Sequence, residues 1–201
     1  MSSARAVELI DHFLGSTQVF ASAVSNVVEE RLLREVAPPH FTFSQLKLLK
    51  LVAMTNAQTL GDVAAFLGVS NPAASKAVDK LVRRGLLVRR EGAKDRRAIE
   101  LSLTESSRRL LATYEVAKNR KLAKVLRQFS PEDLCRTSEV LDRLSARIVD
   151  HTAKAEDLCL QCGIYYRKKC LMSQLVHREC FYHRHKSRTK APAVARGKSS
   201  P

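Results

Sequence analysis

The chain contains no uncharged apolar run near the roughly 18 residues that a membrane-spanning helix needs, so no span is expected. Its start, MSSARAVELIDHF, holds acidic residues and no cleavable apolar stretch, which excludes a secretory signal and predicts a cytoplasmic protein. Enzyme signatures are also missing. No glycine-rich phosphate loop follows a strand, no nucleophile elbow occurs, and the carboxylates are spread over helix surfaces. An enzyme is therefore not expected. Acidic residues are scarce beside basic ones, with 20 Asp and Glu against 35 Lys and Arg, a net charge of +15. That excess is concentrated. Residues 71–97 hold nine positive and three negative side chains, and residues from Cys159 onward hold ten and one. Such a distribution favours a polyanionic partner, most simply double-stranded DNA. A length of 201 residues suits one domain, or one domain with an appendage.

The informative stretch runs from Thr59 to Thr104. Leu60, Val63, Ala64 and Leu67 make the apolar face of a short helix, and Gly68 is placed to end it. Ser70 or Asn71 can cap a second helix, with Pro72 in its first turn where no amide donor is needed. Ala74, Ala77, Val78 and Leu81 recur at helical spacing and face inward, leaving Ser75, Lys76, Asp79, Lys80 and Arg83 off that stripe. Gly85 stops the helix. Leu86–Arg90 and Ala98–Leu103 read as strands, joined by the cation-rich tip Glu91-Gly-Ala-Lys-Asp-Arg-Arg97. This is a winged helix-turn-helix layout: one helix sized for the major groove and a basic hairpin reaching a neighbouring groove.

The run VSNPAASKAVDKLVRRGLLVRR, followed by DRRAIELSLTESSRRLL, resembles the multiple-antibiotic-resistance regulator (MarR) family of bacterial transcription factors. Asp95-Arg96-Arg97, then Leu101, Leu103 and Thr104, carry the most specific part of the likeness. It covers about residues 43–111, extends more loosely over the flanking helices, and stops near Leu158. The resemblance implies that the carboxylate of Asp95 steadies the wing and that Arg97 enters the minor groove. It also implies that the first and last helices of two subunits interlock, and that a phenolic effector can sit between those helices and the reading head. No residue of this chain identifies such a small-molecule effector.

Around the reading head the chain predicts helices. Residues 4–36 read as one long helix with Val7, Ile10, Phe13, Leu14, Phe20, Val24, Val27 and Val28 on a stripe and no proline to interrupt it. Ala37-Pro38-Pro39-His40 breaks it. Ser44 is placed to cap the next helix. After the wing, residues 105–129 read as a helix with Leu111, Tyr114, Leu122, Val125 and Phe129 buried. Ser130-Pro131-Glu132-Asp133 starts the last long helix, whose Leu134, Leu141 and Ile148 stand seven apart as a seam for a partner helix. The expected fold class is mainly α with a small β-wing, a winged helix-turn-helix flanked by long dimerisation helices. A homodimer would place two recognition helices about 34 Å apart over an inverted-repeat operator.

Beyond the family-like part, residues 1–158, lie a cysteine-rich segment, 159–185, and a basic tail, 186–201. The tail lacks aromatic and acidic residues and reads as disordered. Cys159, Cys162, Cys170 and Cys180 crowd into 22 residues. In a reducing compartment that pattern favours metal ligation over disulfides. Neighbouring cations at Arg167, Lys168, Lys169, Arg178 and Arg184 would lower the thiol pKa values. Cys162-Gly163 resembles half of a paired zinc knuckle, whereas the nine-residue gap from Cys170 to Cys180 does not resemble the other half. That mismatch tips the choice narrowly to a [4Fe-4S] cluster over Zn(2+). His177, His183 and His185 are better read as tail residues than as replacement ligands. Cys135, on the last long helix, reads as a small packing residue rather than a redox sensor.

The resulting expectation is a sequence-specific DNA-binding regulator, read as a repressor. A C-terminal metal or iron–sulfur centre would sense redox state or iron. Ser70, Asn71, Ala73, Ala74, Ser75, Lys76 and Lys80 are the expected contacts of the recognition helix. Arg96 and Arg97 serve the wing, and Arg83 and Arg84 touch phosphate or solvent. The alternative is a winged-helix protein-interaction module with a structural zinc site. An electron-transfer role for the cysteines is weaker.

Overall fold

The computed structural model describes residues 3–55, 59–91, 99–149 and 165. Among them the chain forms helices α1 (Ser3–Ala23), α2 (Leu32–Val36), α3 (Phe43–Thr55), α4 (Leu60–Leu67) and α5 (Asn71–Arg83). Strands β1 (Leu87–Glu91) and β2 (Ile99–Leu103) and helices α6 (Glu105–Leu126) and α7 (Pro131–Val149) follow. The expected class, mainly helical with one small wing, is the observed one.

The long first helix departs from expectation in its middle. Between α1 and α2 the chain stays helical but widens into a π-helical stretch, Val24–Arg31, in which the Leu32 amide reaches back to the Val27 carbonyl. Widening by one residue per turn re-aims the helix face. Val28, Leu32 and Leu33 turn into the core, while Val7, Ile10, Leu14 and Phe20 on α1 remain more than half exposed. A single 3.6-residue stripe cannot satisfy both ends of so long a helix.

α2 ends at a turn over Pro38–Phe41. The Phe41 amide donates to the Pro38 carbonyl at 3.2 Å, and His40 adopts a positive φ of 59°. α3 is capped by Thr42, not by Ser44. The Gln45 amide donates to Thr42 Oγ1, and the Thr42 amide donates back to Gln45 Oε1. This reciprocal pair satisfies two amides that the first helical turn leaves open. α3 buries Leu46, Leu48, Leu49, Leu51 and Val52, so it is apolar nearly all round and occupies the centre of the molecule. α4, β2 and α6 pack against it, and α5 packs on α4 and β1.

The two strands are antiparallel, with Leu87 opposite Leu103 and Arg89 opposite Leu101. Thr104 closes the base of the wing. Its hydroxyl donates to the Gly85 carbonyl at 2.8 Å and accepts from the Ser107 amide, so one side chain both ties β2 to the end of α5 and caps α6. Leu111 and Tyr114 are buried as expected on α6. Val125 is half exposed instead, and α6 ends at Leu126, so Phe129 lies beyond the helix and is also about half exposed.

Candidate nucleic-acid interface

Thr59 starts α4 by a capping box with Asp62, and Gly68 ends it at φ 65°, a backbone region that disfavours side chains with a Cβ. Two residues later Ser70 caps α5: its hydroxyl accepts from the Ala73 amide, and Pro72 occupies the first turn. Ser70 rather than Asn71 is therefore the cap, and Asn71 is the first helical residue.

α5 has two unlike sides. Ala74, Val78 and Leu81 are wholly buried against the core. Asn71, Ala73, Lys76, Lys80 and Arg83 are exposed. Positions 73, 76, 80 and 83 share a face by the three- and four-residue spacing of a helix, so the outer side presents a methyl group followed by three cations. Ser75 is half-buried beside them. Ala74 is a correction to the expected contact set. Its methyl lies within the core, where it sets how closely α5 approaches the core, and it is not available to a base.

Arg84 is a second correction. Its guanidinium donates to the Pro39 carbonyl at 2.9 Å and the His40 carbonyl at 3.3 Å, and it lies over the Phe41 ring, 5.7 Å from the centroid. The planar fork thus holds the turn between α2 and α3 instead of facing phosphate. Arg83, one residue earlier, stays exposed.

Arg89 is the residue that sequence reasoning passed over. Strand alternation puts it on the same side as buried Leu87, where an apolar residue is the usual occupant. It reaches α5 instead and pairs with Asp79 at 3.2 Å. The ion pair ties the wing strand to the recognition helix, and Arg90 is exposed on the opposite face of β1. A cation at an inward strand position ten residues from an off-stripe aspartate was the available signal. Asp95, Arg96 and Arg97 at the wing tip, and Cys159, Cys162, Cys170 and Cys180, lie outside the described residues.

Behind the helix, α3 and α6 are joined by a polar cluster. Glu115 on α6 pairs with Lys50 on α3 and with Lys118 one turn on. Burial pushes the Glu115 carboxyl up, but the two ammonium groups outweigh it and hold the pKa below its ordinary value. Burial moves Lys50 down, against the pull of Glu115. Tyr114 donates to the Val28 carbonyl of the π-helical stretch at 3.2 Å, and its burial pushes the phenol pKa up to about 12.

A cavity of about 200 Å³ lies between α3, α4 and α5, with Lys47, Phe66, Val69 and Ala73 in its wall. That is below the roughly 300–1,000 Å³ of ordinary small-molecule sites, too small for an effector pocket.

No helix among the described residues is long and apolar enough to cross a membrane.

Residues 41–98 match the family model described as MarR family. Among solved structures, the chain is similar to the MarR family transcription regulator SP03579, at 21% identity and a TM-score of 0.62, over 73% of this chain and 95% of that one. It is similar to Staphylococcus aureus MarR in complex with salicylate and kanamycin, at 17% identity and a TM-score of 0.61, over 76% and 100% of the two chains. It is also similar to Streptococcus pneumoniae FabT in complex with DNA, at 17% identity and a TM-score of 0.51, over 74% and 99%. The chain thus has the winged-helix fold of MarR-type transcription regulators, and residues 41–98 of its 201 match that family's model.

Proposed function

We propose that this protein is a dimeric, sequence-specific DNA-binding repressor whose C-terminal cysteines hold a regulatory metal centre. The observation that carries the DNA-binding reading is the division of α5 into a buried apolar side and an exposed side bearing Lys76, Lys80 and Arg83. A solvated surface helix needs no second element at its flank, yet here the cationic strand β1 is pinned alongside by Asp79 and Arg89. FabT, which has the same fold, was solved in complex with DNA. The Staphylococcus aureus relative was solved with salicylate, which supports a small-molecule effector as a further input.

A second copy of this chain is the proposed occupant of the outer helices. On α1, Val7, Ile10 and Leu14 follow helical spacing and are more than half exposed. On α7, Ile148 is also more than half exposed, and Leu144 is about a third exposed. Apolar faces on two long terminal helices, both outside the core, fit a symmetric pairing that buries them against each other.

Cys159, Cys162, Cys170 and Cys180 supply four thiolates, a donor set that fits both a [4Fe-4S] cluster and Zn(2+). A cluster would supply a one-electron redox change, and zinc a closed structural crosslink. The gap between Cys170 and Cys180 keeps the balance with the cluster. Anaerobic purification, a visible spectrum and analysis for iron, sulfide and zinc test this part. Colourless protein with one zinc per chain reverses the choice of metal.

The decisive test of the whole reading is selection of bound duplexes from a random pool, with the mass of the complex measured by light scattering. Enrichment of an inverted repeat bound by two chains is expected. Binding to all duplexes alike rejects the repressor and leaves a winged-helix interaction module.

A further inference from the structure

Tyr165 stands in the sequence three residues after Cys162 and five before Cys170. Its side chain packs against the hydrophobic core, and the Lys118 ammonium lies 5.7 Å from its ring centroid. Its hydroxyl is buried. It faces Tyr114 and the Glu29 carboxylate, and burial together with these neighbours raises its pKa.

These partners belong to different parts of the fold. Glu29 lies on the π-helical stretch, whose Val28 carbonyl accepts from Tyr114. Tyr114 and Lys118 are on α6. Lys118 bonds Glu115, and Glu115 pairs with Lys50 on α3, the helix at the centre of the reading head. A single aromatic side chain from the cysteine segment therefore meets the irregular part of the first long helix and one end of a charge chain that runs into the reading head. A π-helical stretch is itself a less regular packing of the chain and is frequent at functional sites.

We infer that Tyr165 is a positioning residue that fastens the cysteine segment to the reading head, so that metal loading is felt at the DNA-binding face through this contact. The inference rests on the reading of the four cysteines as metal ligands. Three residues of fully extended chain span no more than about 10 Å. Drawing Cys162 and Cys170 toward one centre therefore constrains the backbone at Tyr165 from both sides. The seated ring passes that constraint to Glu29 and Tyr114 on one side and to Lys118, Glu115 and Lys50 on the other.

The test uses the full-length wild type, Tyr165→Ala and Tyr165→Phe. Bound iron, sulfide and zinc are measured for each, and operator affinity is read by fluorescence anisotropy before and after the metal is stripped. Expected is a wild type whose affinity changes at least tenfold on stripping. Tyr165→Ala keeps its metal content, but its two affinities come within twofold of each other. Tyr165→Phe, which keeps the ring, retains most of the response. Matching thermal melts of the three proteins exclude a simple loss of folding. A Tyr165→Ala protein that responds to metal as the wild type does overturns the inference and leaves the metal reading standing. Loss of metal from Tyr165→Ala also overturns it, because the tyrosine then serves the metal site itself. Wild type that takes up no metal defeats the metal reading, and the inference with it.

Discussion

Arg89 on β1 donates to Asp79 on α5 at 3.2 Å, and through this pair the wing strand is held beside the recognition helix. Both side chains are more than a third exposed, so the pair contributes little to folding, within about 1 kcal/mol. Its expected role is orientation. Asp79→Asn should leave the melting temperature nearly unchanged and weaken operator binding severalfold. The substitution removes a negative charge close to the proposed DNA face, so electrostatics alone would strengthen binding. A measured gain in affinity would therefore refute the orienting role.

Lys76 and Lys80 lie on the exposed side of α5, clear of the core. Lys80→Ala should weaken binding to all duplexes by a similar factor and lower the salt slope of log K by about one, as loss of one phosphate contact requires. Arg97, matched by motif to the wing residue that enters the minor groove, should behave differently. Arg97→Ala is expected to cost about 1–3 kcal/mol of operator binding and to relax sequence preference. Anisotropy titrations over a range of salt, on operator and scrambled duplexes, separate the two behaviours.

Glu115 is shared by Lys50 and Lys118, and the Lys50 side chain is only 14% exposed. Removing the carboxylate takes an opposite charge away from a partly buried ammonium. Glu115→Ala should destabilise the fold by about 1–3 kcal/mol, less than the ~3–5 kcal/mol of a fully buried pair, in urea titration. Lys118→Ala leaves the Lys50 pair in place and should cost less. The Glu115 pKa is lowered in the fold. Its contribution is therefore complete above the ordinary carboxylate pKa and fades as pH falls through the folded value. The acid limb of the stability curve should flatten in Glu115→Gln.

Tyr114 gives the opposite limb. Its folded pKa is raised from 10.0 to about 12 by burial, so the fold favours the neutral phenol. The contribution is complete below pH 10 and is lost as pH rises toward 12. Tyr114→Phe should lose the bond to the Val28 carbonyl, a cost of about 1 kcal/mol at neutral pH. It should also unfold less steeply in alkali. Circular dichroism melts between pH 8 and pH 12 check both expectations.

How much of this was legible beforehand follows from the range of the forces involved. Gly68, Ser70, Pro72 and Gly85 act on backbone within a turn of themselves, and Ala74, Val78 and Leu81 repeat at the period of a helix. Local dihedral preference and apolar periodicity therefore settled the helix-turn-helix and the strands from residue order alone. Contacts across long sequence separations were beyond that reasoning. Arg84 grips a turn more than forty residues upstream, Tyr114 reaches Val28 over 86 positions, and Arg89 crosses from strand to helix. Each is a polar or charged group whose partner is selected by packing, and only the assembled core brings the two together. Residue order likewise assigned four thiols to one segment. Tertiary structure decided that the tyrosine among them is seated against α6 and the widened helix, because burial there depends on every element that surrounds it.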